Sequence, residues 1–280
     1  MPEFADLWTS FLGMVQELLN SNFITALAGA GAGAYGAQVI AEKSQDRRRL
    51  LGELRSTNAA TMVAFGIANT FCAIKDQHVL PINKQFSMHK NQFELFKEKR
   101  RKGLIDANRP LEFHIDFESL SIPHVQLDVL QNLLFQEISI VSQRTFMALT
   151  ILSLSVSTLT ESISARNEAI SKHRADPNKD NNLMFMYFGI QDSNGYADAT
   201  YPTSIEAITH NTDNVIFFSK FIMEDLILHG TELAKKLGKK APKVIQPNLN
   251  KAAEKGLIPS PDLFPDWFST FAPPPSGTQN

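Results

Sequence analysis

The stretch that decides the fold is Asn22–Ala41, NFITALAGAGAGAYGAQVIA, which contains no charged residue. At the rise of an α-helix, about twenty residues span roughly 30 Å, the thickness of a bilayer's hydrocarbon core. Four glycines would make this a poor helix in water, because each costs about 1 kcal/mol relative to alanine. In a bilayer, in contrast, no water is present to bond the backbone, so the helix is favoured because it satisfies its own hydrogen bonds. Residues 22–41 are therefore predicted to form a single transmembrane helix.

The glycines of this stretch predict how such a helix would pack. Gly29 and Gly33 have the small-xxx-small spacing that lets two membrane helices approach closely, and Gly36 extends the same face. The predicted partner is another copy of the chain. Gly31, Gly33 and Gly36 also match a bare GxGxxG, but a phosphate-binding loop needs a surrounding βαβ unit. A nucleotide loop and a buried helix of a soluble protein remain as alternatives.

The flanking residues predict an orientation. Residues 1–22 contain neither Lys nor Arg, whereas Lys43 and residues 47–49 are basic. The positive-inside rule therefore places the N-terminus outside and the C-terminal domain in the cytoplasm, at the inner membrane if the source is bacterial. Residues 1–21 are predicted to form an amphipathic helix at the interface, in contact with membrane lipid. Packing of this helix on a partner chain is the alternative.

The composition excludes several functional classes. A formal charge of −2 and a pI near 6.4 argue against a nucleic-acid partner, because general nucleic-acid binders carry a basic excess. Cys72 is the single cysteine, so an intramolecular disulfide and a Cys-rich zinc site are excluded. No sequence motif points to a metal ion or to a cofactor.

The rest of the chain reads as mainly α. Residues 42–240 are predicted to form a cytoplasmic bundle of long helices: one from the membrane to about residue 80, broken or kinked at Pro81, one over 82–101, one over 125–173, and one from Pro202 or Thr203 to Leu237, ended by Gly238. Within the first helix, residues 59–74 are apolar and predict a core helix. A second membrane pass over 59–74 remains open.

Two further segments have a different character. Residues 111–117 alternate apolar and polar side chains, and 182–190 is a short apolar run, so a small two-stranded β ribbon is predicted. Residues 241–280 are Pro-rich and predicted to be partly disordered. Within them, Phe264, Trp267 and Phe268 predict an aromatic patch that docks on the bundle or on an unknown protein partner.

One pair of residues suggests an enzymatic alternative. The segment from Arg166 to His173 resembles the R-x4–6-H element of HEPN-type RNases, which are helical domains that dimerise to build a cleavage site. That resemblance implies proton transfer by His173 and stabilisation of the phosphorane by Arg166. The pair at Arg109 and His114 also satisfies this spacing, in a predicted strand where it has no such meaning. A solvated helix end is the alternative interpretation of Arg166 and His173.

Three functions are consistent with these patterns. The first is a non-enzymatic, self-associating membrane protein whose cytoplasmic helices sense or oligomerise, with pore formation or membrane perturbation as an extension. The second is a membrane-tethered RNase that uses Arg166 and His173. The third is a membrane scaffold that recruits a partner through its aromatic tail.

Overall fold

A computed structural model describes residues 3–19, 22–106, 111, 113–115, 117–139, 142–177, 179–191 and 195–271. Side chains are described for the same residues except 3–7, 17–19, 22–28 and 179–181. The described chain is mainly helical, as the sequence predicts, and these ranges contain no strand.

The helices are α1 (Glu3–Leu19), α2 (Asn22–Ile74), α3 (Leu80–Arg101), α4 (Leu127–Asn132), α5 (Gln143–Ala175), α6 (Lys179–Phe188), α7 (Thr200–Leu237), α8 (Asn250–Glu254) and α9 (Pro265–Phe271). Two π-helical turns, Lys75–Val79 and Leu133–Glu137, follow α2 and α4. The chain divides into two compact units. Unit 1 contains residues 1–52 and 237–241, and unit 2 contains residues 53–236 and 242–280.

The expected break at Pro81 is replaced by a π-helical turn. The backbone stays helical from α2 through Lys75–Val79 into α3, and Pro81 occupies the first turn of α3. Proline lacks an N–H and its ring clashes with the carbonyl four residues earlier in a regular helix. The wider turn before Pro81 changes that hydrogen-bond register, so the chain continues without a break.

The single helix predicted over 125–173 is wrong, because the chain leaves helical geometry after the second π turn. Ile138 is extended, with φ −113° and ψ 115°. Ser142 then caps α5 by accepting a hydrogen bond from the Thr145 backbone N–H at 3.0 Å. The side chain of Ser142 supplies this cap, and the apolar periodicity on either side gives no indication of the helix start.

The predicted β ribbon is also wrong. Residues 182–188 lie in α6 instead of a strand, and Gly189, with φ 65°, follows the helix end. The described residues between 111 and 126 are irregular, while positions 112 and 116 lie outside the described residues. A short apolar run fits a strand and a buried helix equally well. Here α6 buries Tyr187 in a second apolar cluster with Phe86 and Ile170.

The main core of unit 2 is formed largely by residues of α2, α5 and α7, and α4, the second π turn, α8 and α9 also contribute. On α2, small residues at helical spacing, Ala60, Ala64 and Ala68, are fully buried. They permit close packing, and Phe71 continues the same face. Seven of the sixteen residues of the apolar run 59–74 are buried by the protein itself. The larger residues of the core include Leu134, Leu152, Leu159, Ile163, Ile208, Val215, Ile216, Ile222 and Leu226.

The C-terminal third follows the sequence pattern closely at α7 and departs from it afterwards. α7 ends at Leu237, and Gly238 follows with φ 71°, a left-handed conformation that glycine adopts without strain. The segment predicted to be irregular contains α8 and α9. The final residues, 272–280, whose disorder the sequence predicts, lie outside the described residues.

Candidate functional site

Unit 1 carries large apolar side chains that the chain leaves exposed. On α1 these are Trp8, Phe11, Leu12 and Met14, of which Trp8 is 58% exposed and Met14 is 65% exposed. Trp8 and Phe11 meet edge to face at 5.9 Å between ring centroids. Contiguous apolar side chains of this size mark surfaces that contact lipid or another protein.

The glycine-rich part of α2 is open in the same way. Tyr35 is 72% exposed and Ile40 is 71% exposed. Apart from the adjacent residues and the backbone of its own helix, a Cβ placed on Gly29, Gly33 or Gly36 meets no described atom within 4 Å. The face therefore has room for a closely packed neighbour. Packing through these three glycines concerns a second helix and stays a prediction.

Charged side chains begin abruptly after this segment. Gln38 donates to Glu42 at 3.0 Å, and Arg48 donates to Ser44 at 3.2 Å. All four residues lie on one helix and form local contacts in water-accessible positions. The boundary between uncharged and charged surface on α2 therefore lies at about Ala41.

Among the residues that the structure describes, two helices have the length and composition to cross a membrane. They are the continuous helix Gly29–Arg101 and the helix Gln143–Ala175. By these criteria alone a buried core helix also qualifies, and Leu149, Leu152 and Leu159 of the second helix lie in the core of unit 2. The exposed residues of unit 1 have no such cover within the described part of unit 1.

No family model, curated protein or solved structure matches this chain.

The predicted RNase pair lies on α5 beside the segment that precedes α4. Arg166 is 1% exposed, donates to the Glu118 carbonyl at 2.8 Å, and lies 5.6 Å from the Tyr201 ring centroid. His173 is half-buried and meets the Phe117 ring at 5.4 Å. Burial raises the pKa of Tyr201 although the nearby Arg166 charge opposes this shift, so Tyr201 remains a neutral phenol. The guanidinium faces this interior and not solvent.

The three aromatic residues of the predicted tail patch have different environments. Phe264 stacks on Phe217 of α7, with ring centroids 3.8 Å apart. Trp267 is 7% exposed and packs edge to face on Phe218 at 5.0 Å. Phe268 is 37% exposed. Phe264 and Trp267 therefore pack against α7 within unit 2, whereas Phe268 keeps a solvent-accessible face.

A buried carboxylate ties together distant parts of unit 2. Glu53 accepts from the Ser139 backbone N–H at 3.2 Å, from the Ser139 hydroxyl at 2.8 Å, and contacts His229 Nε2 at 3.0 Å. Burial alone raises the pKa of Glu53, but the hydrogen bonds of Ser139 and His229 together outweigh this effect and hold the pKa below its usual value. Ser139 bonds to the carboxylate and not to the imidazole, so the geometry differs from a nucleophilic triad.

The other reactive residues give no catalytic arrangement in the described part of the chain. Burial raises the pKa of Cys72 to about 11, which keeps its thiol protonated. Among the described residues, no group of three or more His, Cys, Asp or Glu side chains is placed to hold a metal ion. His89 Nδ1 lies 3.0 Å from the Tyr187 hydroxyl in the second apolar cluster.

Sequence reasoning missed the polar contacts that organise unit 2. Lys75 lies directly after the apolar run of α2, a position that indicates a charge at the edge of a core, but its partner Asp213 is far away in the sequence. Glu53 likewise precedes the apolar run by several residues. The available signal in the sequence was a charged residue next to an apolar run. Its burial and its partner are decided by tertiary packing.

Proposed function

We propose that this chain is a self-associating membrane protein whose unit 1 contacts the bilayer. In this proposal residues 22–41 cross the membrane once, α1 lies at the outer interface, and unit 2 is a cytoplasmic helical module. The observation that carries the proposal is the row of large exposed apolar side chains in unit 1, next to an uncharged segment that ends at Ala41.

The energetics favour lipid contact for this surface. Burial of a Phe or Leu side chain contributes about 1.5–3 kcal/mol, so leaving Phe11, Leu12 and Ile40 in water is costly. Trp8 suits the boundary between headgroups and acyl chains, because its ring is apolar and its N–H is a donor. Lys43 and residues 47–49 would then lie at the cytoplasmic surface, as the positive-inside rule requires.

Self-association would use the glycine face of α2. Gly29, Gly33 and Gly36 fall within about 60° of arc on the helix, whereas Gly31 lies on nearly the opposite side. At each of these four positions an added Cβ has no described atom within 4 Å other than the adjacent residues and its own helix backbone. A leucine at any of them therefore fits the single chain, and it interferes with a neighbouring helix only when it lies on the contact face.

The matched pair Gly33→Leu and Gly31→Leu tests this proposal. Both variants add the same apolar side chain and remove one glycine from the same helix. We expect both chains to remain in the membrane fraction after alkaline carbonate extraction, and Gly33→Leu alone to reduce oligomers measured by mass photometry in lipid nanodiscs. Extraction of the wild-type chain as a soluble protein would contradict membrane insertion. Equal oligomers in both variants would contradict the glycine interface.

The predicted pore-forming or membrane-perturbing activity is an extension of the same proposal. Close packing of small residues permits several helices to surround one axis. Release of a trapped dye from vesicles containing the chain measures such an activity directly. We expect the Gly33→Leu variant to release less dye than the Gly31→Leu variant, and equal release would separate perturbation from self-association.

The RNase alternative is less well supported by the geometry around α5. The Arg166 guanidinium lies under Tyr201 and is bonded to Glu118, so an RNA phosphate would reach it only after the segment moved. Cleavage of RNA by the full chain that is lost in His173→Ala would nevertheless establish this alternative.

The scaffold alternative depends on Phe268, whose ring keeps an exposed face.

A further inference from the structure

We propose that a cavity in unit 2 binds a small uncharged molecule with an apolar body and one hydroxyl or carbonyl oxygen, which hydrogen-bonds to Thr212. The cavity has a volume of about 280 Å³. It lies between α2, α5, α7 and the irregular segment that contains Leu120. This inference rests on unit 2 alone and does not depend on membrane insertion or self-association.

The inner walls of the cavity are apolar side chains that belong to the buried core of unit 2. Phe71 from α2, Leu159 and Ile163 from α5, and Ile208 from α7 are each at most 3% exposed. Among the described residues that line the cavity, none is Asp, Glu, Lys or Arg. An uncharged ligand suits these walls, because a charged group would lose its hydration without gaining an ion pair.

Thr212 is the buried polar residue among those that line the cavity. Its side chain is fully buried, and its Oγ1 has no hydrogen-bond partner among the described residues. Other hydroxyls of α7 bond back to the preceding turn: Thr209 donates to the Ile205 carbonyl at 2.9 Å, and Thr231 donates to the Ile227 carbonyl at 2.8 Å. Thr212 therefore differs from its neighbours in a way that helix geometry does not require.

An unbonded buried hydroxyl is unfavourable for the empty protein. The penalty corresponds to between about fivefold and a hundredfold in an equilibrium constant. A bound water is a poor remedy here, because a buried water needs two to four polar partners and the walls near Thr212 are apolar. A ligand oxygen that reaches Thr212 recovers the hydrogen bond, while the rest of the molecule fills the apolar space.

The entrance has a different chemistry from the walls. His78, Ser119 and Ser121 line the cavity and are exposed. The segment that carries both serines is held to α5 by the side chain of Asn167, which bonds to the backbone N–H of Leu120 at 3.0 Å and to its carbonyl at 2.8 Å. The opening thus has polar groups at fixed backbone positions, suited to a ligand that enters from water.

The test uses full-length chain in lipid nanodiscs with labelled isoleucine δ1 methyls, titrated with benzyl alcohol or with toluene. The two probes share one ring and differ by a hydroxymethyl group in place of the methyl. Saturable shifts at Ile163 and Ile208 report binding in the cavity, and Ile245, which is 39% exposed and does not line it, reports non-specific contact of the probe with the protein surface. We expect benzyl alcohol to bind about tenfold more tightly than toluene at equal free concentration.

Thr212→Val keeps the shape of the side chain and removes the hydroxyl. We expect this variant to bind the two probes within about twofold of each other, and to unfold at a temperature no lower than that of the wild type, because an unbonded buried hydroxyl is removed. Thr209→Val is the matched control on the same helix and should keep the wild-type preference. The absence of saturable shifts with both probes overturns the proposal, as does a preference that survives in Thr212→Val.

Discussion

The Lys75 ammonium lies 2.7 Å from Asp213 Oδ1 and donates to the Leu257 carbonyl at 3.0 Å. Lys75 is the first residue of the π turn after α2, Asp213 belongs to α7, and Leu257 follows α8. One buried cation therefore joins two long helices to the C-terminal segment. The wider π turn and this ion pair occur at the same place in the chain, so the helix is irregular where a buried ion pair joins it to α7.

Lys75→Met should destabilise unit 2 by about 3 kcal/mol, at the lower end of the range for breaking a buried pair, because Asp213 keeps some contact with solvent. The variant leaves the Asp213 carboxylate without its counter-charge and the Leu257 carbonyl without its donor. Urea unfolding of the full chain in nanodiscs, followed by tryptophan fluorescence, measures the change.

Lys255→Met is the control for this prediction. Lys255 pairs with Asp76 at 2.6 Å, but both side chains are largely exposed. Exposed pairs contribute about 0–1 kcal/mol, so the control should change little. Equal losses in the two variants would show that the Lys75 contact has no special role in stability.

The Glu53 carboxylate should make the stability of unit 2 depend on pH in the acid range. Its folded pKa lies below the unfolded value near 4.5, so its contribution is present above that value and is lost as pH falls through the folded pKa. Unfolding temperatures measured from about pH 7 to about pH 3 should fall less steeply in Glu53→Gln than in the wild type.

The matched variant for the pH experiment is Glu94→Gln, which removes an exposed carboxylate 3.3 Å from Lys97. It should leave the acid slope of the wild type unchanged. At neutral pH we expect Glu53→Gln to cost about 1.5–3 kcal/mol, because hydrogen bonds to a charged acceptor become bonds to a neutral amide. A wild-type acid slope in Glu53→Gln would mean that another group controls it.

Trp267→Ala should cost about 3–5 kcal/mol, the range for removing a large aromatic side chain from a core. Its ring lies 5.0 Å from Phe218 and 5.3 Å from Phe221. Phe268→Ala, in contrast, should cost less than about 1 kcal/mol, because this side chain is partly exposed. If the tail recruits a partner, Phe268→Ala should weaken recruitment without unfolding the domain, and recruitment that survives would contradict the scaffold alternative.

Asn167→Ala should release the segment around Leu120. The amide makes two hydrogen bonds to the Leu120 backbone, so we expect a loss of about 2 kcal/mol and faster hydrogen exchange at the Leu120 N–H. Asn167→Asp keeps the acceptor for that N–H but places an oxygen against the Leu120 carbonyl. It should preserve slow exchange at Leu120 better than Asn167→Ala, and identical exchange in the two variants would exclude the amide as the anchor.

Long periodic helices were predictable here because their signal is repeated over many residues. The end of α7 at Gly238 follows from a glycine directly after the last periodic residue. The break before α5 was not predictable in the same way, because apolar periodicity continues on both sides of it. The chain leaves helical geometry just before Ser139. The backbone N–H and the hydroxyl of Ser139 donate hydrogen bonds to the carboxylate of Glu53, which lies 86 residues earlier in the sequence.

The strand predicted in place of α6 and the unpredicted burial of Arg166 have related causes. A short apolar run does not specify helix or strand by itself, and residues 182–188 became helical as Tyr187 packed into the second cluster. The spacing of Arg166 and His173 places both on one helix, but spacing contains no information about burial. Contact with Glu118 and Tyr201 decided that the guanidinium faces the interior.

By itself the sequence determined a mainly helical chain, an uncharged glycine-rich stretch next to basic residues, and the C-terminal end of α7. These features are local, because each depends on residues within a few turns of one helix. Tertiary structure decided which charges are buried, where the helices are interrupted, and that Thr212 lines a cavity without a hydrogen-bond partner among the described residues. Such features depend on groups brought together from distant parts of the chain, and a buried polar atom is favourable or costly according to what packing places beside it.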